Sequence, residues 1–236
     1  MSLDLRSRET KARELMDDPA CDVAALTRTY ARFQVVNRLV SGWRRSYLRL
    51  VRPLLSDART TTLLDVGSGG GDLPRALARW ARRDGLLLEV LGIDPDPRAH
   101  AYAVAQPATA GVGFARATTT DLLAAGERFD VVISNHLLHH LDGPTLRQLL
   151  SESEQLATRL VVHSDLLRSR VAYLGWAVAS WPAGHDSFLF TDGLLSIRRS
   201  YRPAELVAAA PAGWSVQRQA PFRLLLTHPG TGAGHG

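Results

Sequence analysis

Cysteine is almost absent from the 236-residue sequence, in which Cys21 is the only example. A single cysteine cannot build an internal disulfide framework, which excludes disulfide-stabilised secreted domains and suits a reducing compartment. Long apolar runs are also lacking, because the most lipid-like stretch, residues 171–181, is shorter than the about 20 residues of a transmembrane helix. The first residues show no apolar core of the signal-peptide type. We therefore predict a cytoplasmic protein with no transmembrane segment.

Lysine is nearly absent as well, since Lys11 is the only lysine among 28 basic residues. The formal net charge is +5 and the sequence pI is about 10.0. The arginines are dispersed, with small clusters within residues 44–52 and 198–202, whereas nucleic-acid-binding proteins concentrate such charge on one face or tail. The charge permits an RNA partner but does not favour one. We expect a small-molecule substrate and a monomer or homodimer.

Short β-branched or leucine-rich runs alternate with longer amphipathic stretches along most of the chain. Continuous apolar runs of the kind found in strands covered on both faces predict five strands, at residues 61–66, 86–93, 112–117, 129–134 and 159–164. The helical spacing between them predicts a Rossmann-like, doubly wound α/β sheet that is mostly parallel. Two later runs, at residues 214–219 and 222–228, are too close for a crossover helix, so they predict a terminal antiparallel hairpin.

The same patterns divide the chain into three parts. Residues 1–58, helical in pattern from 8 to 56, are expected to form an N-terminal cap or lid that excludes water; the alternative is an amphipathic helical segment with its arginines in solvent. Residues 59–228 are expected to form the sheet domain. Within it, an apolar insert at about 165–200, with an aromatic stretch at 185–193, is expected to shape a substrate pocket. The alternative is that this insert seals the core. Residues 229–236 are expected to be a flexible tail.

The first predicted strand leads into a glycine-rich loop, in the segment LLDVGSGGGDLP. Glycines at 67, 69 and 71 allow a sharp turn and a close approach of a ligand, and the following helix directs free N–H groups to the same place. A dinucleotide-binding fingerprint would need glycine where this chain has Asp72. Asp65, within the strand, suits a ligand with an ammonium group. A tight strand–helix turn is the structural alternative.

Asp94 ends the next strand, in the segment GIDPDP, where a carboxylate can accept both hydroxyls of a ribose. Over roughly residues 60–228 the chain resembles the class I S-adenosylmethionine-dependent methyltransferases. The segments LLDVGSGGGDLP, GIDPDP and FDVVISNHLLHHL carry this resemblance. The resemblance implies a seven-stranded sheet with a reversed last strand and S-adenosylmethionine as cofactor. It also implies a set of cofactor contacts: Asp65, Gly67, Ser68, Gly69 and Gly71 at the methionine part, Asp94 at the ribose and Pro95 at the adenine.

One position departs from the family pattern. The family often has an acid shortly after the third strand that contacts the adenine amino group, and the counterparts here are Thr118 and Thr119, with Asp121 as a substitute. A weaker likeness lies in residues 33–51, which are similar to a segment of quinone-biosynthesis methyltransferases at Asn37, Arg38, Ser41 and Gly42.

The segment SNHLLHHLDG, residues 134–143, places His136, His139 and His140 at the end of the fourth predicted strand. Ligands of open α/β sheets bind at this edge, so Asn135 and His136 are expected to contact cofactor or substrate. His139 and His140, on a helix expected to follow, are candidates for the base that deprotonates a phenol of pKa near ~10, with a structural role as the alternative. A metal site would need a further ligand, and Asp142 is displaced from that face, so we expect no metal.

The fifth predicted strand ends in His163 and Asp165, with Arg168 shortly after it. At the carboxyl end of the strand, Asp165 and Arg168 are expected to orient the acceptor. The alternative is ordinary capping, with Ser164 or Asp165 as N-cap and Arg168 in solvent.

The sequence as a whole predicts an S-adenosylmethionine-dependent methyltransferase that acts on a small, fairly apolar metabolite. O-methylation of a phenolic, polyketide-like or quinol-like acceptor is the first interpretation, and C-methylation of a quinol is the alternative. An RNA methyltransferase is disfavoured by the dispersed arginines and by the lack of an amine-methylating NPPY-type motif at residues 134–135. A cofactor-binding partner subunit without catalysis is the remaining hypothesis.

Overall fold

The structure is a computed structural model that describes residues 5–181 and 186–232. Seven strands in the described part form one sheet in the order β3-β2-β1-β4-β5-β7-β6. The first five are parallel, and β7 runs antiparallel to both β5 and β6. This confirms the predicted fold class and the terminal hairpin. The strands are β1 (Thr61–Val66), β2 (Leu88–Ile93), β3 (Val112–Ala115), β4 (Phe129–Asn135), β5 (Ala157–Leu166), β6 (Ser215–Gln219) and β7 (Arg223–Pro229).

Some strand ends differ from the predicted ones for local reasons. β2 begins at Leu88 because Leu87 pairs with Ser56 in an isolated bridge and Gly85 turns the chain with φ +73°. β3 stops at Ala115, since the chain must leave the sheet for the cap of the next helix. β5 is longer than expected because its antiparallel pairing with β7 continues to Leu166 opposite Arg223.

Helices cover both faces of the sheet, as continuous apolar strands require. One face is packed by the leucines of α6 and α9, including Leu146, Leu150 and Leu206. The other face is packed by α3 and by Trp43 and Tyr47, which come from the region before the sheet. The sheet-covering helices are α3 (Asp72–Arg83), α4 (Pro97–Ala105), α5 (Thr119–Ala124), α6 (Gly143–Leu156) and α9 (Pro203–Ala209).

The region before the sheet is helical, with α1 at Val23–Val40 and α2 at Trp43–Ser46, followed by further helical turns to Leu54. Asp22 begins α1, because its carboxylate accepts the N–H groups of Ala24 and Ala25. α2 and the turns after it are fixed to the sheet by their buried aromatic residues. α1 lies nearer the carboxyl ends of the strands, where it contacts α3 and a later helix, α8 (Leu189–Arg199).

Two helices, α7 (Arg170–Ser180) and α8 (Leu189–Arg199), follow β5 and pack on each other. The predicted stretch 185–193 largely becomes the start of α8, while its first residue, His185, lies outside the described residues. Of the tail, residues 230–232 donate backbone hydrogen bonds to the start of β5, and residues 233–236 lie outside the described part. None of the described helices combines the length and apolar character needed to cross a membrane.

The segment before α1, residues 5–17, lies against α8 and the turn that follows β4. Arg8 donates to the carbonyls of His139 and Leu141 at 2.8 and 2.9 Å and to the Tyr201 hydroxyl at 2.7 Å. Asp192 of α8 accepts the N–H groups of two residues of this segment at 2.9 Å. The segment is therefore fastened to the histidine-bearing turn by charge-assisted hydrogen bonds.

Candidate active site

A cavity of about 650 Å³ opens at the carboxyl ends of the parallel strands. Its floor is the glycine loop and the ends of β2 and β4, and its walls come from α1, α7 and α8. This is the edge of an open α/β sheet at which ligands bind. Of the predicted cofactor contacts, the cavity is lined by Asp65, Gly67, Ser68, Gly69, Asp94, Pro95, Asn135 and His136.

The glycine loop has the backbone geometry that its sequence predicts. Gly67, Gly69 and Gly71 have φ values of +68°, +52° and +73°, in the region that favours glycine. Arg75 holds the loop from behind, because its guanidinium donates to the carbonyls of Gly70 and Gly71 at 3.1 and 2.8 Å. Gly71 is not part of the cavity lining; a Cβ there would lie 2.4 Å from the Phe114 ring, so this glycine serves packing.

Asp65 is a buried carboxylate in need of a partner. It is 2% exposed, and its Oδ1 has no hydrogen-bond partner among the described residues. Burial, followed by the nearby carboxylates of Asp72 and Asp94, raises its pKa well above the usual range. A cationic group of a ligand would remove this penalty. The site therefore fits the ammonium of an amino-acid-type ligand.

A second carboxylate, that of Asp72 at the start of α3, also lines the cavity. Its Oδ2 accepts a hydrogen bond from Asn37 Nδ2 of α1 at 3.0 Å. Burial raises the pKa of Asp72, and the bond from Asn37 only partly offsets this. Asn37 Oδ1 is buried without a partner in the described part of the chain. α1 thus contributes polar atoms to the same end of the cavity as the glycine loop.

Asp94 is positioned by backbone hydrogen bonds at the end of β2. Its Oδ2 accepts the Gly69 N–H and its Oδ1 accepts the Asp96 N–H, both at 2.9 Å. Burial raises its pKa, and the two N–H groups partly counter this. The carboxylate is therefore fixed in the cavity next to Pro95, as expected of a group that binds a ribose.

Thr118 and Thr119, predicted to contact an adenine, do not line the cavity. Thr118 is the N-cap of α5, where it forms a capping box with Asp121. The Thr119 hydroxyl donates to Glu152 of α6. A threonine followed three residues later by an acid stabilises a helix start, so these local partners account for both threonines, and their contact with an adenine stays a prediction.

His139 and His140 lie on a tight turn and not on the helix that was expected. Residues Leu138–His140 form a 3₁₀ turn, and α6 begins only at Gly143, because Asp142 caps it by accepting the Thr145 N–H at 2.8 Å. His136 precedes the turn with φ +59°. His136, His139 and His140 nevertheless all line the cavity.

His139 and Asp165 form a buried pair, 1% exposed each. His139 Nδ1 lies 2.7 Å from Asp165 Oδ1, and the His139 N–H donates to Asp165 Oδ2 at 2.7 Å. Burial alone would lower the pKa of His139, but Asp165 and Glu14 outweigh it and raise this pKa to about 9. The imidazolium in turn holds the pKa of Asp165 well below its usual range, against the effect of burial.

Glu14 faces both histidines from the segment before α1. Its carboxylate oxygens lie 3.5 Å from His139 Nε2 and 3.7 Å from His140 Nε2. His140 Nδ1 lies 3.2 Å from Asp17. The structure thus supplies the carboxylate that the sequence analysis lacked, and the ligand atoms of Glu14, His139 and His140, within 4.8 Å of one another, could hold a divalent cation. Without a cation, the same groups form a cluster that can share a proton.

Asp165 and Arg168, predicted to orient the acceptor, are not among the cavity-lining residues. The Asp165 carboxylate is instead hydrogen-bonded to the backbone N–H and the ring of His139. Arg168 is 2% exposed, and its guanidinium donates to the carbonyls of Leu5 and Ser200 and to Glu205. His163 also lies outside the lining, hydrogen-bonded to Ser134 at 2.8 Å, and burial lowers its pKa to about 3.

Several cavity residues were not predicted from the sequence. Glu14 and Asp17 are more than a hundred positions from the histidines, and Arg223 lies in a strand with no motif, so no local signal identifies them. The cavity also has many apolar lining residues: Met16, Phe33, Val36, Val40, Ala172, Trp176, Ile197 and Phe222.

Comparison with known proteins gives a family for the central part of the chain. Residues 63–158 match the methyltransferase domain family. The ubiquinone biosynthesis O-methyltransferase of Cereibacter sphaeroides is 38% identical over 149 residues, which cover 58% of this chain and 58% of that protein. The protein of the same name from a Methylobacterium species is 39% identical over 82 residues, which cover 34% and 30% of the two chains. The matches thus span little more than half the length of the first relative and less than a third of the second.

Solved structures share the fold at low sequence identity. Human N-acetylserotonin methyltransferase in complex with SAM superposes with a TM-score of 0.59 at 12% identity, covering 86% of this chain and 55% of that one. The plantazolicin methyltransferase BpumL in complex with SAH gives a TM-score of 0.54 at 12% identity, covering 86% and 84%. The sheet and its reversed last strand are therefore those of known methyltransferases.

Proposed function

We propose that this chain is a class I S-adenosylmethionine-dependent methyltransferase, as its fold and the family match of residues 63–158 support, and that it methylates an oxygen of a small, fairly apolar phenol or quinol. The observation that carries the proposal is one cavity with two chemically different ends. One end holds the glycine loop and Asp65, whose Oδ1 has no described partner, and the other holds Glu14 and His139, with Asp165 bonded to His139 from outside the lining.

The first end fits S-adenosylmethionine, which supplies a methyl group on a positively charged sulfur. Asp65 would accept the ammonium of the methionine part, which removes the cost of burying its carboxylate. Asp94 would accept the ribose hydroxyls, with Pro95 beside the adenine.

The second end suits an aromatic acceptor. Its wall is apolar, with Phe33, Trp176 and Phe222 among its side chains. Such a surface excludes water, and it binds the ring of a phenol because both apolar surfaces are buried in the contact. Methyl transfer is an in-line displacement, so fixing the acceptor oxygen opposite the sulfur supplies much of the rate.

His139 is the proposed base. A phenol has a pKa near ~10, and His139, with a pKa of about 9, is close enough to accept its proton with little uphill cost. The proton moves from the acceptor hydroxyl into the Glu14–His139 pair and remains on the imidazole, which Asp165 stabilises. The acceptor oxygen forms its bond to the methyl carbon while the carbon–sulfur bond breaks, which leaves a neutral thioether.

The protonation state of His139 predicts the pH dependence of the reaction. A base must be unprotonated, and at pH 7 a histidine of pKa about 9 is unprotonated in only about 1% of molecules. We expect kcat/KM to rise about tenfold per pH unit up to about pH 9. His139→Gln should lose this limb and lower kcat/KM at pH 8 by about 100-fold or more. His140→Gln tests the other histidine in the same way.

The experiment combines labelled S-adenosylmethionine with a panel of phenols and quinols, with identification of the methylated atom in each product. His228→Gln, on β7 and outside the cavity lining, is the matched control. Unchanged kcat/KM in both His139→Gln and His140→Gln would refute the base, and a methyl group on carbon would convert the assignment to C-methylation of a quinol. Failure of the protein to bind the cofactor in a calorimeter would refute the proposed function entirely.

A further inference from the structure

Arg223 is a buried cation at the cavity that the proposed chemistry does not use. It is 1% exposed and lines the cavity. It is the first residue of β7, paired with Leu166 at the end of β5. Because β7 runs antiparallel to β5, its beginning lies at the edge where the parallel strands end. The pairing register of β7 with β5 therefore places the Arg223 guanidinium at the cavity, although β7 carries no recognisable motif.

The contacts of Arg223 with the described residues are all to neutral groups. Its Nε and Nη2 donate to the Ser164 hydroxyl at 3.3 and 3.0 Å, and Nη2 also donates to Asn135. Its Nη1 lies 2.7 Å from His136 Nε2. The described residues place no carboxylate within ion-pair distance of it, since Asp165 is engaged by His139.

A buried charge that faces only neutral partners is unfavourable. Burial lowers the pKa of Arg223 to about 10, with Asp165 giving partial compensation, so the group is still a cation at neutral pH. Nη1 carries two N–H groups, and His136 Nε2 is its single described acceptor. One Nη1 N–H of this cavity-lining residue therefore has no described acceptor, and a negatively charged oxygen would match it best.

The neighbouring His136 supports a ligand-binding role for the part of the cavity at Arg223. Burial, followed by the charge of Arg223, lowers its pKa well below the usual range, so it is neutral and accepts from Arg223 through Nε2. Its Nδ1 then carries the proton, as the hydrogen-bond partner requires. Its φ of +59° is a conformation that a histidine rarely adopts, and such conformations cluster at ligand sites.

We propose that Arg223 binds a carboxylate of the methyl acceptor, so that the preferred substrates are hydroxylated aromatic acids. This rests on the proposed function. The other anionic oxygen in such a reaction is the carboxylate of the cofactor, but β7 is three strands from β1 in the sheet order, which places it about 14 Å from the glycine loop. The ring of His139, the proposed base, lies 6.4 Å from that of His136, which contacts Arg223.

The test compares a dihydroxybenzoate with its methyl ester, which has a similar shape and no charge. In the wild-type protein we expect kcat/KM for the acid to exceed that for the ester by about 100-fold. Arg223→Gln should remove about 100-fold from the acid and less than about threefold from the ester. Arg223→Lys, which keeps the charge, should retain part of the preference and provides the test if the glutamine variant does not fold. Arg218→Gln, on the exposed side of the adjacent strand, is the matched control.

Calorimetric titration of acid and ester into the protein loaded with S-adenosylhomocysteine separates binding from turnover. Tight binding of the acid without methylation would refute the proposed reaction and keep the anion site. Equal turnover of acid and ester by the wild type would refute the anion site and keep the reaction. A loss of cofactor affinity in Arg223→Gln with an unchanged preference for the acid would assign Arg223 to the cofactor carboxylate and overturn the proposal.

Discussion

Replacement of Asp165 by asparagine tests the buried pair on which the proposed base depends. The substitution preserves the shape of the side chain and an oxygen that can accept the N–H of His139, but it removes the charge beside the imidazole. In the folded wild type, His139 has a pKa of about 9, against an ordinary value of 6.5. Proton binding to His139 therefore stabilises the folded state.

The size and the pH window of this stabilisation follow from the two pKa values. Because the folded-state pKa is raised, the stabilisation is complete below about pH 6.5 and is lost as the pH rises through about 9. One pKa unit corresponds to about 1.4 kcal/mol, so His139 should contribute about 3 kcal/mol that disappears between about pH 6.5 and 9.5. Full burial of both partners means that solvent does not screen the interaction.

Urea unfolding at several values between pH 6.5 and 9.5 measures this contribution. Asp165→Asn should flatten the pH dependence so that less than about 1 kcal/mol remains, the remainder coming from Glu14. Asp165 also attracts the Arg223 guanidinium without forming an ion pair with it, but that attraction is constant over most of this pH range. The pH slope of the free energy of unfolding, and not its absolute value, is therefore the measure. A variant with the full wild-type slope would show that the pair does not set the pKa of His139.

Two further predictions concern the cofactor end and the metal question. Asp65→Asn should weaken binding of S-adenosylmethionine by about 10- to 100-fold in a calorimeter, because it removes the partner of the ammonium, whereas Thr118→Val, at the cap of α5, should change it less than about threefold. Dialysis against a chelator should leave kcat/KM unchanged if His139 is the base; a loss that zinc or magnesium restores would instead make Glu14, His139 and His140 metal ligands.

Much of the fold could be predicted from the sequence because its signals are local and repeated. β1 and β4 were predicted nearly to the residue, since each is a continuous apolar run between clear turns. The short spacing before β7 predicted the terminal hairpin. Asp65 and Asp94 were predicted because they sit at strand positions where the topology forces them toward one edge of the sheet.

The missed parts of the site depend on distant contacts. Glu14 meets the histidines only because residues 5–17 lie across α8, and Arg223 reaches His136 only through the register of β7 with β5. Thr118 was assigned to the adenine by resemblance, whereas the capping box in its own sequence explains its contacts. Asp165 was placed at the correct strand end, but its partner depends on the 3₁₀ turn that replaces the expected helix.

The route of residues 5–17 also has a consequence for how the protein is made. Glu14 and Arg8 are synthesised before any strand of the sheet, yet Arg8 is held by the carbonyl of Arg199 and the hydroxyl of Tyr201. The ribosome adds those partners nearly two hundred residues later, at about 5–20 residues per second. For many seconds the nascent chain can thus form its early strands while the carboxylate facing the histidines has nowhere to dock. Formation of the first five strands and docking of residues 5–17 are therefore separate events during synthesis, and the docking has to wait until Tyr201 has been added.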